Sequence, residues 1–253
     1  MTKAADKQTV RGRIAILPLG ATEQHGPHLP PETDWIIAEG ICARLRKRLP
    51  PVPEVEFLPV EKVGYSIEHS DDPATRSLAF DDAVNRWIAI GEEANRRGIR
   101  KFVMLNAHGG NSPLMTIVAT ELRVRFTMLA VATSWTRFGY PPDLVTDAAR
   151  AIDIHAGFIE TSVMLALRPD LVDMSRARNF PSAQSDFAGA FTHLRAYGPH
   201  ALGWKMSDLS PAGATGNAAA ATAEAGERIL DHAVSGLLEL LADVDRFDLE
   251  RLK

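Results

Sequence analysis

Short apolar runs of strand length alternate along this chain with longer stretches of helical period, and few residues lie between them. Ile14 to Leu19 reads as a buried strand, and Val55 to Val60 as a second. Between them Asp34 to Leu49 places Ile36, Ile37, Ile41 and Leu45 on one helix face. Thr33 is expected to cap that helix, and Pro50 and Pro51 to end it. Asp81 to Arg97 is the next helix, acidic at its start, basic at its end and closed by Gly98. Lys101 to Asn106 is the clearest strand, Ser112 to Arg125 a helix, and Met128 to Ser134 a fourth strand. Such alternation predicts an α/β fold, a mostly parallel sheet covered by helices.

The second half is less regular. Gly139, Pro141 and Pro142 mark a loop, and Ile159 to Leu167 has helical spacing that Pro169 ends. Residues 175–216, rich in Ser, Ala, Gly and Pro, predict no long element. Asn217 to Leu241 reads as an alanine-rich helix with Ile229, Ala233, Leu237 and Leu240 on one face. No internal repeat and no long linker interrupt the chain, so one domain is expected over residues 1–253.

Composition removes several functional classes. Lys plus Arg number 28 against 32 Asp plus Glu, a net charge of −4, which argues against a basic nucleic-acid binder. The single cysteine, Cys42, excludes an internal disulfide framework and a cysteine zinc site, and its apolar helix makes it a core residue. Met1 to Arg13 is polar and lacks the apolar stretch of a secretion signal, and no run approaches the ~18 apolar residues of a membrane span. A cytoplasmic protein with no nucleic-acid and no membrane partner is expected.

Chemistry concentrates in three loops at or near strand ends, where ligands bind in folds of this class. The first runs from Gly20 to Pro31 and carries Glu23, His25 and His28, with Asp34 just beyond. The second, Asn106-Ala107-His108-Gly109-Gly110-Asn111, follows the clearest strand. The third runs from Asp153 to Thr161 and carries His155 and Glu160. Carboxylates and imidazoles are the oxygen and nitrogen ligands of zinc, manganese or iron. Glu23 and His25 are separated by one residue, so in an extended segment they point to one side. Asp34 can reach back from the start of its helix and bridge two ions. His108 leaves a strand end, and Glu160 lies five residues beyond His155, about one and a half helical turns. Glu-x-His alone is a weak motif, and His-Gly-Gly also suits a tight turn or a phosphate-cradling loop. The dinucleotide fingerprint, the Walker lysine and the Gly-x-Ser-x-Gly elbow are absent from the sequence. His193, His200 and His232 have no ligand-like neighbours and read as ordinary residues.

Leu-Pro-Leu-Gly-Ala-Thr-Glu-Gln-His-Gly-Pro-His-Leu-Pro, followed by Thr33-Asp34, resembles the first signature of the creatininase (creatinine amidohydrolase) family. Asn-Ala-His-Gly-Gly-Asn resembles its second and His-Ala-Gly-Phe-Ile-Glu-Thr-Ser its third. Gly64 to His69, Pro73 to Leu78 and the stretch from Gly213 match more weakly, in order. The resemblance implies a three-layer α/β/α fold, two divalent ions per chain (zinc, manganese or iron) and a homohexamer. By position it makes Glu23, His25, Asp34 and His108 metal ligands, with Asp34 bridging. Creatininase has a glutamate two residues after the histidine of the second signature, where this chain has Gly110, and Glu160 is expected to supply the missing ligand. His155 matches the histidine that passes a proton to the leaving group, and His69 and Trp204 are expected at the substrate. The residue before His155 is a glutamate in creatininase and Ile154 here, so creatinine is not the expected substrate.

The implied reaction is hydrolysis of a C–N amide bond in a small molecule, by water activated between two ions. The same machinery in this family serves deformylation of a purine-derived intermediate, trimming of a peptide-derived cofactor precursor, and opening of a sugar ring. A protein that binds metal without turnover and a nucleotide-binding module using the glycine loops remain open alternatives. Ser175 to Trp204 is expected to shape the pocket.

Overall fold

The computed structural model describes residues 12–252, so nearly all of the polar Met1 to Arg13 segment, and the ends of a 1–253 domain, lie outside the described residues. Strands β1 (Arg13–Leu19), β2 (Glu54–Phe57), β3 (Lys101–Asn106) and β4 (Leu129–Ser134) form a parallel sheet in the order β2-β1-β3-β4. β1 and β3 are central, which is why both are apolar almost without interruption. Alternate side chains enter opposite cores. Ile14, Ile16, Val103 and Leu105 pack against helices α1 (Thr33–Arg48), α5 (Phe158–Leu167) and α8 (Ala223–Arg246). Ala15, Leu17, Phe102 and Met104 face α2 (Phe80–Arg96) and α3 (Ser112–Phe126), where Trp87 and Leu122 are fully buried. The result is the expected three layers.

The strand order sets the position of the site. The chain leaves β1 for β2 on one side, then crosses back to β3 on the other, so connections diverge between β1 and β3. A crevice opens at such a switch point beyond the carboxyl ends of the strands. Leu19 pairs with Asn106 at those ends, which brings the first two histidine-bearing loops out side by side.

Several boundaries differ from expectation. Thr33 lies inside α1, and its hydroxyl donates to the Pro30 carbonyl at 2.7 Å instead of capping the helix. β2 stops at Phe57, although Leu58 and Glu61 still donate to Ile16 and Pro18 of β1. Glu61, three residues after Leu58, takes the place that regular alternation would give to Val60, so the ladder slips by one residue there. α8 begins at Ala223, not Asn217, and runs on to Arg246. Thr222 caps it by accepting from Ala225 N, and Asn217 instead belongs to β6 (Gly216–Asn217), antiparallel to β5 (Asn179–Phe180). Short helices occur where no long element was expected: α6 (Ala183–Ala190) and α7 (Met206–Leu209), after α4 (Asp147–Ile152). Cys42 is a core residue, its thiol pushed up to about 12 by burial. Among the described residues no helix is long and apolar enough to cross a membrane.

Candidate metal centre

The loop after β1 brings Glu23 and His25 inward, each 1% exposed. Asp34, in the first turn of α1 and equally buried, reaches them: His25 Nε2 lies 3.2 Å from Asp34 Oδ1. From the end of β3 comes His108, whose Nδ1 is 3.1 Å from Glu23 Oε1 and 3.3 Å from Asp34 Oδ2. Two asparagines make that loop rigid. Asn106 Oδ1 accepts from His108 N at 3.1 Å. Asn111 donates to the Gly20 and Asn106 oxygens at 3.1 Å and accepts from Tyr65 N at 2.9 Å. Thus the asparagines of Asn-Ala-His-Gly-Gly-Asn tie together the loops that follow β1, β2 and β3.

The third loop is held differently. His155 and Glu160 are not in helical register, because Ala156 lies at φ +51° in the left-handed region and α5 starts only at Phe158. That conformation is costly for a residue with a Cβ and persists only where its surroundings enforce it. Here Thr215 Oγ1 accepts from Ile154 N and His155 N, and Thr215 N donates to the His155 carbonyl at 2.9 Å. The Asp153 carboxylate accepts from Phe158 N and Ile159 N at the start of α5, and burial raises its pKa to about 6. Glu160 Oε2 accepts from Ala156 N at 2.7 Å and lies 3.9 Å from His25 Nε2.

Each central histidine commits one ring nitrogen to a carbonyl, which can only accept, so that nitrogen carries the proton. His25 Nδ1–H donates to Glu23 O at 2.9 Å, His108 Nε2–H to Tyr65 O at 2.9 Å, and His155 Nε2–H to Gln24 O at 2.7 Å. The other nitrogen of each faces the carboxylates, which is how backbone partners orient metal-ligating imidazoles. Burial favours a neutral His25, but Asp34, then Glu160 and Glu23, outweigh it and hold its pKa at about 10. Burial lifts Glu160 to about 7 against the pull of His25. His155 is driven well below its ordinary value by burial and by neighbouring His25 and His69, and stays neutral.

A divalent cation fits this set. Both Glu23 oxygens and Asp34 Oδ2 are buried without a hydrogen-bond partner, an arrangement that is costly unless a cation offsets it. Donor atoms of Glu23, Asp34 and His108 lie within 4.8 Å of one another, as do those of His25, Asp34 and Glu160. All five expected ligands are therefore brought together, with Asp34 common to both groups.

His69 is also in the cluster, its Nε2 3.3 Å from Glu23 Oε1 and its ring 4.3 Å from that of His155. Trp204 packs on a small core of Ala196, Met206 and Leu209 together with Ile154. Its indole N–H donates to Ala196 O at 2.8 Å. The spare His28 turns away to Thr161 Oγ1 at 2.9 Å and stacks on Phe180. Sequence reasoning missed Glu68, whose Oε1 is 3.4 Å from His108 Nε2, and the positioning roles of Asp153 and Thr215. Glu68 stood beside His69 in a matched segment, but no local signal distinguished it.

A family model described as creatinine amidohydrolase matches residues 1–241. The mycofactocin precursor peptide peptidase of Mycolicibacterium smegmatis is 30% identical over 225 residues, 88% of this chain and 82% of that protein. The creatinine amidohydrolase of Pseudomonas putida is 28% identical over 247 residues, 91% of this chain and 89% of that protein. A solved structure of creatininase with manganese matches at a TM-score of 0.73 and 25% identity, covering 96% of each chain. The chain belongs to the creatininase family of hydrolases.

Proposed function

We propose that this hydrolase is a dinuclear metal-dependent amidohydrolase that cleaves a C–N amide bond in a small molecule. The observation that carries the reading is Asp34, one buried carboxylate shared by two groups of potential ligands. Glu23, His25, Asp34, His108 and Glu160 would hold two divalent ions of zinc, manganese or iron. Such a pair, when bound, lowers the pKa of a coordinated water toward neutrality and polarises a carbonyl oxygen. The chain's own residues manage the proton and the substrate. The Nε2–H of His155 is committed to Gln24 O, so Nδ1 is the atom that takes a proton from water and returns it to the departing nitrogen. His69 is assigned to the substrate carbonyl, and Trp204, with the 175–204 segment, to the pocket wall. A single domain, a cytoplasmic location and a homohexamer belong to the same reading.

A second reading, peptide trimming, is favoured by the relative that is 30% identical and described as a peptidase. One experiment separates them: stripping the protein with a chelator, reloading with zinc or manganese, and screening cyclic amides, formamides, short peptides and creatinine. The amidohydrolase reading predicts turnover of a non-peptide amide that is lost on chelation and regained on loading. Turnover confined to peptides establishes the second reading, and turnover indifferent to chelation contradicts both. Creatinine at millimolar concentration should yield little creatine, because Gly110 and Ile154 leave two polar contacts unmade. A rate near an ordinary ~10 s⁻¹ would overturn that expectation.

A further inference from the structure

Gly110 sits where a side chain has nowhere to go. A Cβ there would stand 2.4 Å from Glu68 Oε1, 2.5 Å from His108 Nε2 and 2.5 Å from the Tyr65 carbonyl. Its φ is not in the left-handed region, so the constraint is space and not backbone conformation. What fills the space is the carboxylate of Glu68, carried on the single helical turn Ile67–His69. The residues leading into that turn are tied down: Ser66 N donates to Ser77 Oγ at 2.9 Å, and Tyr65 N to Asn111 Oδ1 at 2.9 Å.

The position of Glu68 is chemically unusual. Its donor atoms fall within 4.8 Å of those of Glu23 and His69. Glu23 is 1% exposed and neither of its oxygens has a hydrogen-bond partner, and buried His69 Nδ1 has none. Two carboxylates this close repel each other unless a positive charge lies between them. Glu160 cannot serve this side, since it approaches the centre through His25. Glu68 approaches from the side of Glu23 and His69, its Oε1 passing the outer Nε2–H of His108 at 3.4 Å, and with its side chain 15% exposed it stands at the mouth.

We propose that Glu68 is a further ligand of the divalent ion held by Glu23, and that residue 110 is glycine so that this carboxylate can enter. The proposal rests on the metal-dependent reading above and adds a sixth side chain to it. Glu160 and Glu68 then complete different ions, one beside His25 and one beside His108.

The test measures metal content by elemental analysis, and Zn²⁺ and Mn²⁺ affinity by competition with a chromophoric chelator. The proteins are the full chain and its Glu68→Gln, Glu68→Ala, Gly110→Ala and Glu68→Ala/Gly110→Ala variants, with circular dichroism to confirm folding. Glu68→Gln, nearly isosteric, should weaken one ion by at least about tenfold and leave the other unchanged. Gly110→Ala should weaken the same ion at least as much, because its methyl group meets both Glu68 and His108. The double variant should recover none of the affinity lost in Glu68→Ala. Unchanged affinity in Glu68→Gln would overturn the proposal, while two ions in the parent protein left the metal reading intact. A parent protein that binds no ion would instead overturn the metal reading itself. If Gly110→Ala does not fold, Glu68→Gln alone decides.

Discussion

Residues 13–134 deliver Glu23, His25, Asp34 and His108 from strand ends and a helix start, whereas residues 135–222 deliver His155 from a turn held by side chains and Glu160 from the first turn of α5 just beyond it. In the first region the backbone places the proposed ligands. β1 and β3 are paired over six positions, from Ile14 with Lys101 to Leu19 with Asn106, and both faces are buried. Displacing His108 therefore means displacing a central strand. In the second region the geometry depends on two short polar side chains, Thr215 and Asp153, and on a non-glycine residue at positive φ. Gly157 and Gly216 allow this, since a Cβ at either would stand 2.5 Å from the Asp153 carboxylate. The proposed metal-binding groups thus come mainly from the strand-anchored region, and the proposed proton-transfer group from a turn that Thr215 and Asp153 hold.

This contrast can be broken by mutation. The largest effect is expected at His155, where His155→Ala should lower kcat by roughly 10²–10⁴-fold, the usual contribution of a general acid–base group. Metal content should be unchanged, as measured on the same preparation. Equal loss of metal and activity would move His155 into the ligand set and erase the distinction between the regions.

A smaller effect is expected at Thr215. Thr215→Val keeps the shape but removes the acceptor for Ile154 N and His155 N. Activity should fall about 10–100-fold, as when an outer partner of a site residue is lost. Stability should fall by about 1–3 kcal/mol for the unpaired buried N–H groups, readable in a denaturant titration. Full activity would show that the turn is set by Asp153 and the glycines without Thr215.

The third effect is one of pH. His25 is held at about 10 and Glu160 at about 7 in the metal-free protein, both above their ordinary values. His25 is protonated at neutral pH and Glu160 about half so; burial opposes a charged His108, but Glu23 and Asp34 outweigh it and hold that imidazole well above its ordinary value, so a metal must displace protons from all three. Affinity for zinc should rise by at least about tenfold per pH unit between pH 7 and 9, where the histidines release protons, and more steeply below pH 7. Calorimetry in buffers of different ionisation enthalpy reads the proton count directly. No proton release at pH 7.5 would mean that neither His25 nor His108 is a ligand.

The same contrast decides what could be read from the sequence. The four parallel strands and the helices α1, α2 and α3 follow from hydrophobic period, because each packs one apolar face on the sheet. Glu23, His25 and His108 were legible because the loops bearing them leave adjacent strands, and Asp34 because it opens a helix beside one of them. The turn around His155 was not, since its anchor, Thr215, lies 60 residues further along the chain. Nor were α6 and α7, where polar contacts distant in sequence outweigh period: Gln184 Oε1 accepts from Ala196 N at 2.7 Å, and Lys205 reaches Asp71 at 2.7 Å. Glu68 was hidden for a different reason. Its significance comes from the side chain that Gly110 lacks, and an absence of atoms is visible only once the neighbours are placed.

The central claim is that the two regions complete one dinuclear centre, the first supplying four ligands and the second supplying Glu160. Elemental analysis of the purified, metal-loaded protein and of its nearly isosteric Glu160→Gln variant tests it most directly. The account predicts two divalent ions per chain in the parent and one in the variant, with the fold unchanged by circular dichroism. No bound ion in the parent, or two in Glu160→Gln at undiminished affinity, would contradict it.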